Sequence, residues 1–246
     1  MNSFSQEKFS PHEIEWTNEK TNRLWGYYSS SEAHRSTYFG ETVGWHVAKL
    51  LKRNGFLKSG VLVDFSCGNG ALMEEILKVA PKGLAVYGFD PSSISVDVAN
   101  SRNAGKLGFK GANQLTSYPV LLDSEFASTV VLTEVVEHLD DNSLRNVIGE
   151  CKRILKPGGR LVITTPNNEC LDRAKVLCPE CGCIFHRWQH QRSWSSASLK
   201  EYLRSEGFLS VGVSEVTWGG DIINIIFKVM RKQSTGIFAV CEKPLK

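Results

Sequence analysis

One short segment of the chain, Glu134-Val135-Val136-Glu137-His138, concentrates side chains that can exchange protons. An imidazole whose pKa lies near neutrality can take a proton from a hydroxyl or an amine. Residues at positions i, i+3 and i+4 share one face of a helix, so we expect the two carboxyl groups and the imidazole to lie together. We predict Glu134, Glu137 and His138 as catalytic residues. The alternative is that the segment shapes a pocket and caps a helix without proton transfer.

A second segment, from Cys178 to His190, contains thiol and imidazole groups that could bind a metal. The Cys-Pro-x-Cys-Gly pattern at Cys178 and Cys181 resembles a zinc knuckle, in which a tight turn points two thiolates at one ion. His186 and His190 would complete a tetrahedral structural zinc site, with Cys183 as a competing ligand. A loop of reduced thiols is the alternative. His190 could instead point into an active site, and these two uses of His190 exclude each other.

The residues from Val61 to Gly70 predict a strand, a tight loop and the start of a helix. The run from Val61 to Val63 is apolar, and Asp64 begins the polar part. Gly68 and Gly70 have no Cβ, so the backbone can approach a ligand closely. This unit places a nucleotide-like ligand at the carboxyl edge of a parallel sheet, where helix N–H groups can receive a carboxylate or phosphate. A simple tight turn is the alternative.

An acid, Asp90, ends the next predicted strand, which begins at Leu84. Asp90 follows the glycine loop by about twenty residues, the separation at which dinucleotide folds hold the ribose hydroxyls. A carboxylate can accept both of the hydrogen bonds that a ribose diol donates. The alternative is that Asp90 caps a helix that begins after Pro91.

Apolar strands alternate with amphipathic helices along most of the chain. The apolar run from Ala127 to Thr133 predicts a buried strand, and Leu144, Val147, Ile148 and Cys151 then follow at helical spacing. Lys156-Pro157-Gly158-Gly159 ends that helix before another strand. This alternation predicts an α/β fold with a doubly wound, mostly parallel sheet.

The order of these signals resembles the class I S-adenosylmethionine-dependent methyltransferases: a glycine loop, an acid, E-V-V-E-H, L-K-P-G-G, a strand and T-P-N. The resemblance covers residues from about 40 to 166 and resumes at 196, and it is greatest to the ubiquinone-type O-methyltransferases. It implies a seven-stranded Rossmann-like sheet with an antiparallel edge and S-adenosylmethionine as the cofactor. It also implies methyl transfer to a small-molecule or sugar-like acceptor, with oxygen as the expected accepting atom.

The same resemblance implies which residues bind the cofactor. Ser66 stands where the family usually has its first glycine, which is a departure from the motif. Asn113 follows the third strand, where the family carries a polar side chain that meets the adenine; an ordinary loop amide is the alternative. The full predicted cofactor-binding set is Asp64, Ser66, Cys67, Gly68, Gly70, Asp90, Pro91, Asn113 and Thr133.

Two other functions remain open at this stage. The small-RNA 3′-terminal 2′-O-methyltransferases use a similar E-x-x-E-H segment and a later histidine to hold a divalent metal. Glu134, Glu137, His138 and His190 would be the matching residues, and mixed oxygen and nitrogen ligands suit magnesium or manganese. A catalytically silent module that keeps the fold is the other alternative, and the serine in the glycine loop is its support.

Composition sets the broad class of the protein. The chain has 246 residues, of which 41% are hydrophobic, which is enough for one domain with a sizeable core. The net charge of +3 leaves no strong footprint for a polyanion, so a nucleic acid is not the expected partner. No apolar run is long enough to span a bilayer, and the seven cysteines are expected to be reduced thiols in a cytoplasmic protein.

We predict three parts of the chain. Residues 1–34 form an N-terminal arm or lid, because aromatic residues such as Trp25 and Tyr28 lie in an otherwise polar stretch. Residues 35–246 form the methyltransferase domain, and residues 167–195 are a cysteine- and histidine-rich insertion within it. The apolar segment from 221 to 230 is predicted to be a helix over the active site or an interface. The sequence leaves the oligomeric state open.

Overall fold

A computed structural model of the chain describes residues 9–35, 37–218 and 235–245. In chain order the elements are β1 (His12–Glu13), α1 (Asn18–Ser30), α2 (Glu32–Arg35), α3 (Phe39–Arg53), β2 (Gly60–Phe65), α4 (Ala71–Val79), β3 (Leu84–Asp90), α5 (Ser93–Asn103), β4 (Phe109–Gln114), β5 (Ala127–Thr133), α6 (Asp141–Ile154), β6 (Leu155–Pro166), a 3-10 helix (Leu171–Ala174), β7 (Lys175–Leu177), β8 (Cys183–His186), α7 (Ser196–Ser205), β9 (Leu209–Val216) and β10 (Gly236–Glu242). The predicted helix at 221–230 lies outside the described residues.

The described strands form a seven-stranded sheet in the order β4-β3-β2-β5-β6-β10-β9. β2 to β6 are mutually parallel, and β10 runs antiparallel to both β6 and β9. The predicted α/β fold with a seven-stranded, mostly parallel Rossmann-like sheet is confirmed. Because the strand order reverses between β2 and β5, a crevice opens there at the carboxyl edge of the sheet.

The apolar pattern of each element explains its burial. Val130, Val131 and Leu132 in β5 are fully buried, since helices cover both faces of a parallel sheet. Leu144 and Ile148 of α6 lie four residues apart and are both buried against the same core. Burying a side chain of this size contributes roughly 1.5–3 kcal/mol relative to leaving it exposed. This rigid layer holds the loops that follow β2, β3, β5 and β6.

A smaller sheet lies beside the main one and joins the N-terminal arm to the insertion. Its order is β1-β8-β7, with β1 parallel to β8 and β8 antiparallel to β7. Helix α1 also packs on α5 of the main domain. The predicted arm is therefore docked at both ends. Within the described residues, no helix combines the length and the apolar character needed to cross a membrane.

Candidate active site

The loop after β2 bends back onto the end of β3. The backbone N–H groups of Ser66 and Cys67 both donate to the carbonyl of Phe89, at 2.7 and 2.8 Å. Ser66, Gly68 and Gly70 have φ angles of 70°, 51° and 75°, in the left-handed region. Glycine adopts this region freely, whereas Ser66 adopts it in spite of its Cβ. The loop thus follows a glycine-type path even at its departure from the usual motif.

Asp90, at the end of β3, braces this loop. Its Oδ2 accepts a hydrogen bond from the Gly68 N–H at 2.8 Å, and its Oδ1 accepts one from the Ser92 N–H at 2.9 Å. Burial raises the pKa of Asp90 to about 6, against the opposite effect of these two hydrogen bonds. Ser92, rather than Asp90, caps α5 by accepting from the Ser95 N–H. Each Asp90 oxygen keeps a further lone pair, so the carboxylate can also serve a ligand.

Asp64 lies deeper in the same region. It is fully buried in β2, and neither of its carboxyl oxygens has a hydrogen-bond partner. Burial, together with the negative charge of Asp90, raises the pKa of Asp64 to about 8. Two buried carboxyl groups at this end of the crevice favour a ligand that donates hydrogen bonds or carries positive charge.

A cavity of about 360 Å³ opens beside the loop, and its volume is within the range of small-molecule sites. It joins the glycine loop to the turn after β5, to the N-terminal arm and to the insertion. The residues that line it include Thr21, Trp25, Tyr28, Tyr38, Ser66, Cys67, Gly68, Asn69, Asp90, Pro91, Thr133, Glu134, His138, Trp188, Gln189 and His190.

Glu134, Glu137 and His138 lie in a turn between β5 and α6, not on a helix, so the predicted helical face is wrong. The side chains of Glu134 and Glu137 are instead held by β6, which runs beside β5. Glu134 Oε1 accepts from the Thr164 hydroxyl at 2.8 Å, and Glu137 Oε2 accepts from the Thr165 hydroxyl at 2.9 Å. Neighbouring strands therefore bring the two carboxyl groups together, and Glu134 and His138 reach the cavity.

Burial controls the charge state of this turn. It raises the pKa of Glu134 and, with the added negative charge of Glu134, raises the pKa of Glu137 further. Burial, followed by the positive charge of His190, lowers the pKa of His138 to about 3. At neutral pH His138 is therefore uncharged, and the two carboxyl groups share at least one proton. Glu137 Oε1 is buried without a hydrogen-bond partner, 3.9 Å from His138 Nε2.

Cys178, Cys181 and Cys183 of the insertion lie at the hairpin that joins β7 to β8. The Cys178 N–H donates to the Cys183 carbonyl at 2.8 Å, and the Gly182 N–H donates to the Cys178 carbonyl at 2.9 Å. Hydrogen bonds from the backbone of Cys181 and then of Glu180 lower the pKa of Cys178. This is a tight turn with backbone donors aimed at a thiol, as a knuckle requires.

The structure does not bring the four predicted zinc ligands Cys178, Cys181, His186 and His190 together. Among the described residues, the clusters of three or more metal-binding side chains contain no cysteine. The two cysteines lie at the hairpin turn, whereas His186 ends the extended strand that begins at Cys183. Three residues of strand span about 10 Å, which separates the histidine from the turn.

His186 and His190 lie instead with acidic residues near the cavity. His190 Nδ1 is hydrogen-bonded to Glu169 Oε2, and His186 Nε2 lies 3.4 Å from Glu169 Oε1. The two imidazole rings stack with their centroids 4.5 Å apart. His190 also groups with Glu137 and His138, whose candidate ligand atoms lie within 4.8 Å of one another. The insertion therefore contributes directly to the candidate active site.

The N-terminal arm covers the same end of the cavity. The indole N–H of Trp25 donates to Gln189 Oε1 at 2.9 Å, and its ring contacts the His138 ring edge-on at 5.1 Å. The Tyr28 ring lies 5.4 Å from the Trp188 ring. These contacts join α1 to the insertion, and the lid itself stays a prediction.

The chain matches the protein family described as a methyltransferase domain over residues 34–211. This match covers well over half of the 246 residues, and the chain belongs to that family.

The names of curated relatives describe O-methyl transfer. The chain is 29% identical to the human mitochondrial ubiquinone biosynthesis O-methyltransferase over 154 residues, which are 59% of this chain and 40% of the relative. It is 28% identical to the 3-amino-4-hydroxybenzoate 4-O-methyltransferase of Streptomyces cremeus over 123 residues, which are 47% of this chain and 31% of the relative. The matches thus span less than half the length of these relatives.

Solved structures share the fold. An S-adenosylmethionine-dependent methyltransferase of Archaeoglobus fulgidus superposes with a TM-score of 0.56 at 18% identity, covering 81% of this chain and 94% of that one. Phosphoethanolamine N-methyltransferase 2 of Haemonchus contortus, solved with S-adenosyl-L-methionine, gives 0.61 at 16% identity, covering 93% and 57%. At these identities the likeness establishes the architecture alone.

The structure sorts the predicted cofactor residues into three groups. Ser66, Cys67, Gly68, Asp90, Pro91 and Thr133 line the cavity. Asp64 and Gly70 do not line it, although the Gly70 N–H donates to the Cys67 carbonyl of the loop at 3.0 Å. Asn113 is exposed on β4 and does not line the cavity, so the structure provides no support for its predicted contact with adenine.

Several residues of the site escaped the sequence analysis. Glu169 gave no motif signal, and Gln189 is an ordinary amide between two candidate histidines. Thr164 and Thr165 were assigned only to a strand. Trp25 gave a signal, since an indole in a polar arm predicts a docked segment, but its partner was not predictable.

Proposed function

We propose that the protein is an S-adenosylmethionine-dependent methyltransferase that methylates a hydroxyl group of a small molecule. The observation that carries this proposal is the single cavity that joins the glycine loop and Asp90 to Glu134, His138 and His190. Membership of the methyltransferase family supports the reaction class. When bound, the cofactor supplies a methyl group on a positively charged sulfur.

The cofactor end of the cavity has groups that fit S-adenosylmethionine. Asp90 would accept hydrogen bonds from the ribose diol, while the close backbone of the glycine loop leaves room for the amino acid part. A Cβ added at Gly68 would lie 2.9 Å from the Tyr38 ring, so this cradle admits no larger residue without movement.

The other end of the cavity suits an acceptor with a flat or ring-shaped body. Trp25, Tyr28 and Trp188 line it and offer apolar faces for stacking. The names of the relatives point to hydroxylated aromatic acceptors, and we extend this chemical class to the present chain as part of the proposal. Uncharged His138 and the Glu134 carboxyl would orient the acceptor hydroxyl.

Cofactor titration and product analysis test this function together. Calorimetry should show S-adenosylmethionine binding, and mass spectrometry should show a gain of one methyl group on a hydroxybenzoate, a catechol or a sugar from a mixed panel. Cofactor binding without turnover on any acceptor would favour the silent module. Failure to bind S-adenosylmethionine would contradict the proposal itself.

A metal-dependent reaction on RNA 3′ ends is the second candidate, and one observation favours it. Glu137, His138 and His190 converge within 4.8 Å, and a carboxylate with two imidazoles is a common set for a divalent transition metal. Glu137 Oε1 has no hydrogen-bond partner, so it is available to an ion. Methyl transfer to RNA 3′ ends that requires added manganese, and that a chelator abolishes, would make this candidate the leading one.

We propose structural zinc only at the Cys178 and Cys181 pair. The lowered pKa of Cys178 supports it, because thiolates are the form that binds zinc. Elemental analysis of the purified protein tests it: Cys181→Ser should lose the zinc that the wild-type protein retains. Wild-type protein free of zinc would end this proposal. The cytoplasmic location likewise stays a prediction, which imaging of the tagged protein would check.

A further inference from the structure

The hydrogen bonds of the insertion define which nitrogen of His186 carries a proton. His186 is buried, and its Nδ1 accepts from the N–H groups of Trp188 and His190, at 3.2 and 3.1 Å. A ring nitrogen that accepts hydrogen bonds has no hydrogen of its own, so in neutral His186 the proton is on Nε2. A histidine that binds a metal offers a lone pair from one ring nitrogen and usually donates a hydrogen bond from the other. In His186 the Nδ1 lone pair is used by backbone N–H groups and Nε2 carries the proton, so His186 is not suited to bind an ion.

Glu169 then lies between two imidazole rings. Its Oε2 is bonded to His190 Nδ1, and its Oε1 lies 3.4 Å from His186 Nε2, which makes no hydrogen bond. Burial raises the pKa of Glu169, but the hydrogen bond and positive charge of His190, and then the positive charge of His186, outweigh it and lower the pKa overall. Glu169 is therefore an ionised acceptor, and His190 Nδ1 must be the donor in their hydrogen bond.

A proton on Nδ1 leaves the lone pair of neutral His190 on Nε2. His190 lines the cavity, and its ring lies 4.8 Å from the ring of His138. The charged and titratable groups around it are Glu169 and His186 of the insertion, and Glu134, Glu137 and His138 of the turn after β5. From α1, the neutral indole of Trp25 closes the site against His138.

We propose that Glu169 is a positioning residue that holds His190 as the general base for the acceptor hydroxyl. The inference rests on the proposed methyltransferase function. The acceptor oxygen forms a bond to the methyl carbon while the carbon–sulfur bond breaks, and its electron pair stays on sulfur. The hydroxyl proton moves to His190 Nε2, and the Glu169 carboxylate stabilises the resulting imidazolium.

This assignment gives the insertion a role in proton transfer. His138, the base expected from the motif, directs Nδ1 to the Gln189 carbonyl at 3.4 Å, not to a carboxylate. His190 is the histidine with a carboxylate behind it, which is the arrangement that makes an imidazole an effective base.

Nitrogen NMR tests the arrangement without any substrate. The chain has 6 histidines, so protein labelled with ¹⁵N at histidine gives an assignable spectrum. Neutral His190 should be the Nδ1–H tautomer and His186 the Nε2–H tautomer. In Glu169→Gln the carboxylate that accepts from His190 Nδ1–H is lost, so the preference of His190 for the Nδ1–H tautomer should weaken. The opposite tautomers, or a tautomer preference unaffected by Glu169→Gln, would overturn the proposal.

Kinetics with the acceptor found in the panel supply the second test. His190→Gln should lower kcat by ~10²–10⁴-fold, the usual contribution of a general base. Glu169→Gln should lower kcat by roughly 10–100-fold, as losses of such supporting groups do, and move the acidic limb of the pH–rate profile to lower pH. Glu169→Asp should restore part of the rate. Cofactor affinity should stay within twofold in all three variants.

Asp172→Asn is the matched control, because it makes the same change of acid to amide at an 85% exposed side chain in the same insertion. It should leave both the rate and the profile unchanged. A wild-type rate in Glu169→Gln would overturn the positioning role. Activity that a chelator abolishes and manganese restores would make His190 a metal ligand and overturn its role as base. Absence of all turnover would count against the proposed function, while the tautomers would still decide the inference.

Discussion

The two ends of the cavity are built in different ways. The cofactor side, residues 64–70 with Asp90 and Pro91, comes from two neighbouring strands and is held largely by backbone hydrogen bonds. The acceptor side comprises α1, the turn 134–138 and the insertion segment 169–190, and it is held by side chains far apart in sequence. The contact between Trp25 and Gln189, for example, joins residues 164 positions apart.

This difference predicts how each side responds to change. The geometry of the cofactor side depends on the backbone conformation of its loop and on the few side chains that hold the loop. The geometry of the acceptor side depends on every side chain of its network. One substitution on the acceptor side should therefore alter the rate while leaving the cofactor affinity intact. The four substitutions below test this contrast.

The largest effect should come from Asp64 on the cofactor side. Its pKa is raised from 3.8 to about 8, so the stability that its neutral form provides is present at low pH and is lost as pH rises towards about 8. Asp64→Asn stays neutral, so its free energy of unfolding should exceed that of the wild type by on the order of a few kcal/mol at pH 9, and by little at pH 4. Denaturant titrations of the cofactor-free protein at both pH values measure this difference.

Asp97→Asn, on the exposed face of α5, is the control. If Asp64→Asn differed from the wild type by the same free energy of unfolding at both pH values, the prediction would be refuted.

The second-largest effect should come from Asp90→Ala. It removes a charged acceptor and releases the Gly68 and Ser92 N–H groups, so S-adenosylmethionine should bind at least tenfold more weakly, a loss of ~1.5–3 kcal/mol. Calorimetry measures the affinity, and Asp97→Ala should not change it. Unchanged affinity would remove Asp90 from the cofactor site.

Trp25→Ala probes the acceptor side. The loss of its hydrogen bond to Gln189 and of its packing on His138 should raise the KM for the acceptor about five- to tenfold, corresponding to ~1–1.4 kcal/mol. Cofactor affinity should change less than twofold. Tyr27→Ala, on the exposed face of the same helix, is the control. Equal weakening of cofactor and acceptor binding would mean that the two sides are not separable.

Ser66→Gly should have the smallest effect. A left-handed φ of 70° costs a residue with a Cβ about 1–2 kcal/mol, and the greater freedom of glycine in the unfolded chain offsets about 0.5–1 kcal/mol of this. The free energy of unfolding should therefore rise by about 0.5–1 kcal/mol, with cofactor affinity maintained. A destabilised variant would show that the serine side chain makes a stabilising contact of its own.

Local pattern was enough to predict the cofactor side. The glycine loop, the acid at the end of β3 and the alternation of strands and helices all depend on residues close in sequence, and parallel strands necessarily bring their carboxyl ends to one edge. The same logic failed for Asn113, because a position after a strand does not determine whether its side chain turns towards the cavity. It also failed for the helical face at 134–138, where a strand-to-helix turn forms instead.

The acceptor side shows what sequence could not decide. From the motifs, Glu134, Glu137, His138 and His190 were one possible metal set, and His190 was alternatively a zinc ligand beside the cysteines. Only the folded chain shows that β8 carries His186 away from the hairpin turn, and that Glu169 reaches both histidines.

The sequence by itself determined the α/β fold, because it follows from short-range periodicity, and its motifs carried the resemblance that identified the family and predicted the loop for the cofactor. Tertiary structure decided that the imidazoles of His138 and His190 both reach the cavity and that Glu169 is bonded to His190. Those properties depend on side chains from three distant segments meeting in a buried space, where hydrogen-bond partners and desolvation, not spacing along the chain, determine the chemistry.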